Sequence, residues 1–103
     1  MIDKNPSKEQ HIADILTLNV LQVDLEENIS SFEIIKSENL YDEDSDRIFR
    51  CFKFNRGKSK YKIVITPECT IRYADKSPSQ LIVEIANIMT NRLNDMINVG
   101  NSN

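Results

Sequence analysis

The segment RIFRCFKFNRGKSKYKIVI, residues 47–65, constrains the fold more than any other part of the chain. Both of its halves are rich in aromatic and β-branched residues, which favour extended strands. Between them, Gly57 accepts the positive φ that a tight turn requires. Two such runs joined by a short loop that contains glycine are typical of an antiparallel hairpin. We therefore predict paired strands over residues 47–55 and 60–66.

The length of the hairpin loop decides which side chains share a face, because side chains alternate along each strand. A three-residue loop at 55–57 places Phe52 and Phe54 beside lysines, an arrangement that suits nucleic acid. A four-residue loop at 55–58 places the two rings beside Tyr61, as in a core. Turn chemistry favours the shorter loop by about 1 kcal/mol, whereas exposing each large apolar side chain forgoes about 1.5 to 3 kcal/mol. We therefore expect both rings to be buried.

The residues before the hairpin contain one helix pattern and one ambiguous stretch. Ser7 and Gln10 have the spacing of a capping box and predict a helix over 7–21, although LTLNV in its second half also alternates like a strand. Residues 24–40 suit either a helix or a strand. We assign a strand to 31–40, because SFEII contains β-branched and aromatic residues.

A second turn and a further strand follow the hairpin. Proline in Thr66-Pro67-Glu68 sets the φ that a turn needs. The next segment, CTIRY, alternates, so Cys69, Ile71 and Tyr73 are predicted to share one face. The result is a meander of three or four strands.

The last helix has the strongest signals in the chain. Ser77 and Pro78 supply an N-cap and a proline at the first helical position, and they predict a helix from 78 to about 97. Its apolar arc is wider than one packing surface needs. Burial between the sheet and the first helix explains most of this width, and a homodimer face is the alternative. The residues of that dimer face are Ile82, Ala86 and Leu93.

Together these elements predict an α+β fold of one domain over residues 1–103. In it, an antiparallel three- or four-stranded β-meander packs against an N-terminal and a C-terminal helix in two layers. A chain of 103 residues can bury such a core without metals or disulfides. We expect residues 1–6 and 98–103 to be flexible tails.

Composition narrows the class of protein and its location. The longest apolar run is far shorter than the roughly 18 residues that a membrane span needs, and the first residues lack the layout of a signal peptide. We therefore expect a cytoplasmic protein that makes no membrane contact and keeps Cys51 and Cys69 as reduced thiols. Abundant Ile and Asn with scarce Ala and Gly indicate an AT-rich genome and favour a bacteriophage or mobile-element source.

Metal and catalytic sites find little support in the sequence. Asp42, Asp44 and Asp46 match the start of a calcium-binding EF-hand loop that begins at Asp42, but the sixth position of that loop is Arg47 instead of Gly and the twelfth is Lys53 instead of Glu. His11 is the only histidine, and the two cysteines lack the spacing of a zinc site. Acid–base or nucleophilic catalysis needs a base close to a nucleophile or a second carboxylate. We therefore expect no cofactor and no enzymatic activity.

Charge is segregated along the chain. Residues 24–46 hold nine acids and one base, whereas residues 47–62 hold seven bases and no acid. Opposite charges that face each other on neighbouring strands attract. The two segments are therefore expected to neutralise each other in part, which competes with any polyanion that the basic segment could bind.

Three hypotheses for function follow. The leading one is a small protein-interaction module, an accessory or inhibitor protein that binds a host or competitor protein through an acidic surface, because a negative patch attracts basic surfaces. The residues of that surface are Asp42, Glu43, Asp44 and Asp46. The alternative is an RNA or single-stranded DNA-binding hairpin that stacks bases and contacts phosphates. Its residues are Arg50, Phe52, Phe54, Lys60 and Lys62. The third hypothesis is a homo-oligomeric structural component that uses the dimer face named above.

Overall fold

The computed structural model describes the backbone of residues 6–75 and 77–101 and the side chains of residues 7–74 and 77–95. In chain order, the elements are α1 (Pro6–Asn28), β1 (Glu33–Asp42), β2 (Arg47–Arg56), β3 (Ser59–Ile65), β4 (Ile71–Asp75) and α2 (Ser79–Asn101). The strands form one antiparallel sheet in the order β1-β2-β3-β4. The predicted α+β meander with a helix at each end is confirmed, and it has four strands.

α1 is longer than the helix that the sequence predicts. It continues to Asn28, so the strand alternative for its second half is wrong. Leu18, Leu21 and Leu25 explain the extension, because they are three and four residues apart and are all buried on one side of the helix. Ser7 lies inside the first turn, so it does not cap the helix as the spacing predicted.

The pairing of β2 with β3 decides the direction of the aromatic rings. Phe52 lies opposite Ile63, and Phe54 lies opposite Tyr61. Both phenylalanine side chains are fully buried. The prediction that these rings face the core is confirmed, because burying them outweighs the turn preference for the other register.

The hairpin loop itself is shorter than either predicted loop. Arg56 pairs with Ser59, which leaves a loop of Gly57 and Lys58. Gly57 has a φ of +62°, as a two-residue turn with glycine in its first position requires. This register differs from that of the four-residue loop by an even number of residues, so the same side chains share a face although the predicted loop length is wrong.

β4 also differs from the predicted strand. A bulge interrupts its pairing with β3, so that Ile65 lies opposite Ile71 whereas the preceding residue, Val64, lies opposite Tyr73. Ile71 therefore packs against the core and Tyr73 lies on the other face. Cys69 precedes the strand, in the turn, with a φ of +65°. The prediction that Cys69, Ile71 and Tyr73 share a face is wrong, because the bulge adds a residue to one strand.

α2 begins one residue after the predicted start at 78 and ends later than predicted. Its first residue is Ser79, and the carbonyl of Pro78 accepts the first backbone hydrogen bonds of the helix. The helix continues to Asn101, and therefore includes part of the expected C-terminal tail. Residues 102–103 and most of the expected N-terminal tail, residues 1–5, lie outside the described residues. Neither described helix is long and apolar enough to cross a membrane.

The hydrophobic core lies between the two helices and one face of the sheet, which we call the inner face. Side chains from α1, α2, β2 and β3 fill it, together with one residue of the loop before β1. Its buried residues are Leu21, Leu25, Phe32, Phe52, Phe54, Ile63, Ile65, Leu81, Ile85, Ile88 and Met89. The opposite face of the sheet, the outer face, carries a smaller buried cluster of Phe49, Cys51 and Val64.

Arg47 joins α1 to the first residues of β2. Its Nη2 lies 2.7 Å from Oδ1 of Asp14, and its Nε lies 2.9 Å from Oδ2. Asp14 is 1% exposed and also accepts a hydrogen bond of 3.0 Å from the backbone N–H of Ile48. Burial raises the pKa of Asp14, but the hydrogen bonds from Arg47 and Ile48 outweigh it and leave the pKa below its usual value. The same guanidinium contacts the exposed carboxylate of Glu68 at 2.5 Å.

Candidate functional sites

The acidic segment that was predicted to bind a partner forms the loop between β1 and β2, and Asp46 ties this loop to the rest of the fold. Asp46 has a φ of +56°, and its carboxylate accepts hydrogen bonds from the hydroxyls of Ser7 and Tyr41. Nε2 of His11 lies 3.0 Å from Oδ1 of the same carboxylate. These hydrogen bonds, that of Ser7 first, lower the pKa of Asp46. Asp46 therefore anchors the loop to α1, and its side chain is 46% exposed.

Asp42 is also engaged within the loop. Its Oδ2 accepts hydrogen bonds from the hydroxyl of Ser45 at 2.5 Å and from the backbone N–H of Ser45 at 2.9 Å. Both bonds lower the pKa of Asp42. Glu43 and Asp44 form the exposed tip and make no hydrogen bond or ion pair with any residue that the structure describes. Of the four predicted residues, these two have carboxylates without a hydrogen bond or ion pair to a described residue.

The structure does not bring the five predicted nucleic-acid-binding residues together. Phe52 and Phe54 are fully buried and Arg50 is 7% exposed, all on the inner face. Lys60 and Lys62 are exposed, and they lie on the outer face. The stacking platform is therefore wrong, because the aromatic rings and the lysines occupy opposite sides of the sheet.

The exposed lysines instead form a row across the outer face. Three lysines of this row lie directly opposite one another on three neighbouring strands: Lys36, Lys53 and Lys62. Lys60 lies on the same face of β3, two residues before Lys62. Like charges in direct opposition destabilise a sheet. Glu38, at 3.8 Å from Lys36, is the described carboxylate within ion-pair distance of this lysine row. The sequence did not reveal Lys36 as a member, because the pairing of β1 with β2 was not known.

α1 carries apolar side chains on two opposite sides. One side holds the buried leucines. The other side holds four apolar residues at spacings of four, four and three, which place them in one line along the helix. These residues, which we call the α1 stripe, are Ile12, Leu16, Val20 and Val23, with exposed fractions of 52%, 60%, 47% and 49%. Their spacing was visible in the sequence, but only the packing of α1 shows that they face away from the core.

The α1 stripe continues into an apolar cavity of about 290 Å³ between α1, α2 and the loop before β4. Val20 and Leu93 lie on its two sides, and Leu93 is 39% exposed. Of the predicted dimer face, Leu93 thus adjoins the stripe. Ala86 is exposed, whereas Ile82 is partly buried against the core.

Neither cysteine has the properties of an activated nucleophile. Cys51 and Cys69 are both free thiols. Burial raises the pKa of each thiol, which keeps it protonated and weakens it as a nucleophile. Within the described residues, no group of three or more His, Cys, Asp or Glu side chains is placed to hold a metal ion.

Arg50 lies on the inner face between α1 and β1, and its guanidinium donates hydrogen bonds to neutral amide oxygens. Its Nε and Nη2 donate to Oδ1 of Asn39 at 2.9 and 2.7 Å. Its Nη1 donates to Oδ1 of Asn19 at 2.8 Å and to Oε1 of Gln22 at 3.2 Å. No described carboxylate lies within ion-pair distance of the guanidinium. Burial lowers the pKa of Arg50.

These residues line a cleft of about 440 Å³ between α1 and β1, which we call the arginine cleft. Glu26 and Glu38 also line it, and Val23 supplies an apolar wall. No sequence pattern indicated this cleft, because its polar residues come from three separate elements.

In comparisons with known proteins, no protein-family model, curated protein or solved structure matches the chain.

Proposed function

We propose that this chain is a protein-interaction module that binds its partner through the α1 stripe. The observation that supports this proposal is the line of four half-exposed apolar side chains on the far side of α1 from its buried leucines. A helix with apolar residues on opposite sides is normally covered on both. The sheet and α2 cover one side, and the partner covers the other.

The energy available from the stripe indicates what kind of surface the partner offers. Burying the exposed half of each side chain contributes about 1 kcal/mol, or about 4 kcal/mol for the stripe. Association itself costs about 4 to 15 kcal/mol. The stripe alone is therefore insufficient, and the partner also has to fill the adjoining cavity beside Leu93. An apolar groove that receives the helix and reaches this cavity meets the requirement.

Exposed acids at both ends of the stripe add a charge preference. Glu9 precedes the stripe, and Glu26 and Glu27 follow Val23. A groove with basic residues around it would therefore attract α1 and speed the encounter. The acidic surface inferred from the sequence is thus proposed at α1, with Glu43 and Asp44 as additional contacts. A module of this size suits an accessory or inhibitor protein, such as a bacteriophage or mobile element encodes.

The test is a pair of variants with equal added charge. L16E/V20E places two carboxylates in the stripe, and T90E/N94E places two on an exposed, polar part of α2. We expect a protein partner captured from a lysate of the source cell to be retained by the wild type and by T90E/N94E, and to be lost by L16E/V20E. Both variants should keep the wild-type helix content by circular dichroism. A partner retained equally by all three proteins would contradict the proposal.

Light scattering of the same proteins identifies the partner class. Self-association of the wild type that L16E/V20E abolishes would make the partner a second copy of the chain. A monomeric wild type that gains mass only when the captured protein is added would make it a different protein.

A second candidate function is the binding of single-stranded nucleic acid on the outer face. The observation that favours it is the row of opposed lysines, which a chain of phosphates would neutralise. Tyr73, which is 52% exposed on the same face, would stack on a base. Filter binding in a salt series tests this function, with K53Q/K62Q compared with K8Q/K58Q, which removes equal charge elsewhere. Binding that K53Q/K62Q alone weakens would support it, and no binding at low salt would exclude it.

A further inference from the structure

The charge of Arg50 is the least compensated buried charge in the described part of the chain. Its guanidinium is 7% exposed, and its acceptors are three neutral amide oxygens. Removing a cation from water is unfavourable, and a buried cation normally has a carboxylate beside it. Here the amide dipoles stabilise the cation only in part. The remaining positive potential extends into the arginine cleft.

The amides around Arg50 also present hydrogen-bond donors to the cleft. Their oxygens face the guanidinium, so the NH₂ groups of Asn19 and Asn39 are directed away from it. Neither NH₂ group has an acceptor among the described residues, and both asparagines are exposed. A guanidinium has five N–H groups, and Arg50 uses four of them, so one N–H on Nη2 is also available.

An acid that lines the cleft limits the charge of a ligand. Oε2 of Glu26 accepts a hydrogen bond of 3.0 Å from Gln22, whose own Oε1 accepts a hydrogen bond from Arg50. The Glu26 carboxylate repels a doubly charged anion more strongly than a singly charged one. Val23 offers apolar contact on the same cleft. A single negative charge attached to a short carbon chain therefore fits the cleft best.

We propose that the arginine cleft binds a small organic monocarboxylate. The two oxygens of the carboxylate accept hydrogen bonds from the open N–H of Arg50 and from the NH₂ groups of Asn19 and Asn39. The carbon chain of the ligand lies against Val23. This site adjoins the proposed partner surface, because Val23 belongs to both, whereas Leu16 and Val20 do not line the cleft. A cleft of about 440 Å³ is within the usual size range of small-molecule sites.

The first experiment is a titration of the full chain followed by NMR, with butyrate as the probe. We expect saturable shifts of the side-chain signals of Arg50, Asn19 and Asn39. Butanol, which has the same carbon chain and no charge, should cause none. Equal shifts with butanol, saturation by phosphate at lower concentration than by butyrate, or no saturable shift at all would overturn the proposal.

The second experiment supplies the missing carboxylate from within the protein. N39D places an acid beside Nε and Nη2 of Arg50, in a geometry that suits a two-point ion pair. We expect N39D to melt at a higher temperature than the wild type and to bind butyrate about tenfold more weakly or not at all. N94D adds the same charge on α2 and should change neither property. A destabilised N39D, or one that binds butyrate as well as the wild type, would contradict the proposal.

Discussion

Two arginines on one strand, Arg47 and Arg50, show how neighbouring residues of the same type acquire different roles. Arg47 contacts a buried carboxylate, Asp14, and an exposed one, Glu68. Arg50 is more deeply buried, yet it contacts only amide oxygens. The first charge is balanced within the protein, and the second is not. Balanced charge holds α1 on the sheet, whereas unbalanced charge remains available to a ligand.

This difference in charge balance predicts that neutralising Arg47 and neutralising Arg50 lower the free energy of unfolding by different amounts. R47M leaves the carboxylate of Asp14, which is 1% exposed, buried without its cation. Removing one partner of a buried pair costs about 3 to 5 kcal/mol. We expect the free energy of unfolding of R47M, measured by urea denaturation, to fall by about that amount.

A double variant checks the reason for this loss. D14L/R47M removes both charges and replaces them with apolar side chains, which is often close to neutral for a buried pair. We expect it to recover a large part of the stability that R47M loses. If the double variant is as unstable as R47M, the unpaired carboxylate is not the cause.

Lowering the pH gives a further test of the role of Arg47, because the pKa of its partner Asp14 is below the ordinary value of 3.8. A carboxyl group whose pKa is lowered by folding stabilises the protein above its unfolded pKa, and this contribution disappears as the pH falls through the folded pKa. The wild type should therefore lose stability as the pH falls below about 4.

In R47M, we expect protonation of Asp14 to have the opposite effect on stability. Without the guanidinium, burial raises the pKa of Asp14 above its unfolded value, so protonation relieves a buried charge. We expect the stability difference between the wild type and R47M to narrow as the pH is lowered, in urea denaturation from pH 7 to pH 3. A difference that is constant over this range would show that the pair is not the source of the acid sensitivity.

Neutralising Arg50 should cost less than neutralising Arg47. R50M frees amides on two exposed asparagines, Asn19 and Asn39, which water can satisfy, and it removes a poorly compensated buried charge. We expect a loss of about 1 kcal/mol in the free energy of unfolding. A loss as large as that of R47M would mean that the amides compensate Arg50 as fully as Asp14 compensates Arg47.

The smallest effect is expected at the exposed partner of Arg47. Glu68 has a side chain that is 56% exposed, and exposed ion pairs contribute about 0 to 1 kcal/mol. E68Q should therefore lower the free energy of unfolding by less than about 1 kcal/mol and leave the acid sensitivity of Asp14 unchanged. A larger loss would show that Arg47 depends on both carboxylates.

Features of the fold could be predicted from the sequence where one local contribution to the free energy is much larger than the others. The burial of Phe52 and Phe54 was predictable because exposing two aromatic rings costs more than an unfavourable loop. The length of that loop could not be predicted, because two registers that differ by an even number of residues bury the same rings. The bulge that moves Tyr73 to the outer face had no signal in the alternation of CTIRY.

The candidate functional residues were harder to predict than the fold. The sequence indicated that Asp42 and Asp46 belong to an acidic patch free to bind a partner. In the structure, the Asp42 carboxylate accepts a hydrogen bond from Ser45 and the Asp46 carboxylate accepts one from Tyr41. The α1 stripe was present in the spacing of its residues. Its exposure depends on which side of α1 meets the sheet, and the helix has apolar residues on both sides, so the pattern favours neither.

The α+β class, the central hairpin and the burial of its aromatic rings could be predicted from the sequence, because alternation and apolar burial act between residues that are close along the chain. The different roles of the two arginines, which look alike in the sequence, depend on the tertiary structure. Asp14 lies 33 residues from Arg47, and Asn19 lies 31 residues from Arg50. The placement of α1 on the sheet brings a carboxylate to one arginine and an amide to the other, and hydrogen bonds of about 3 Å depend on that placement.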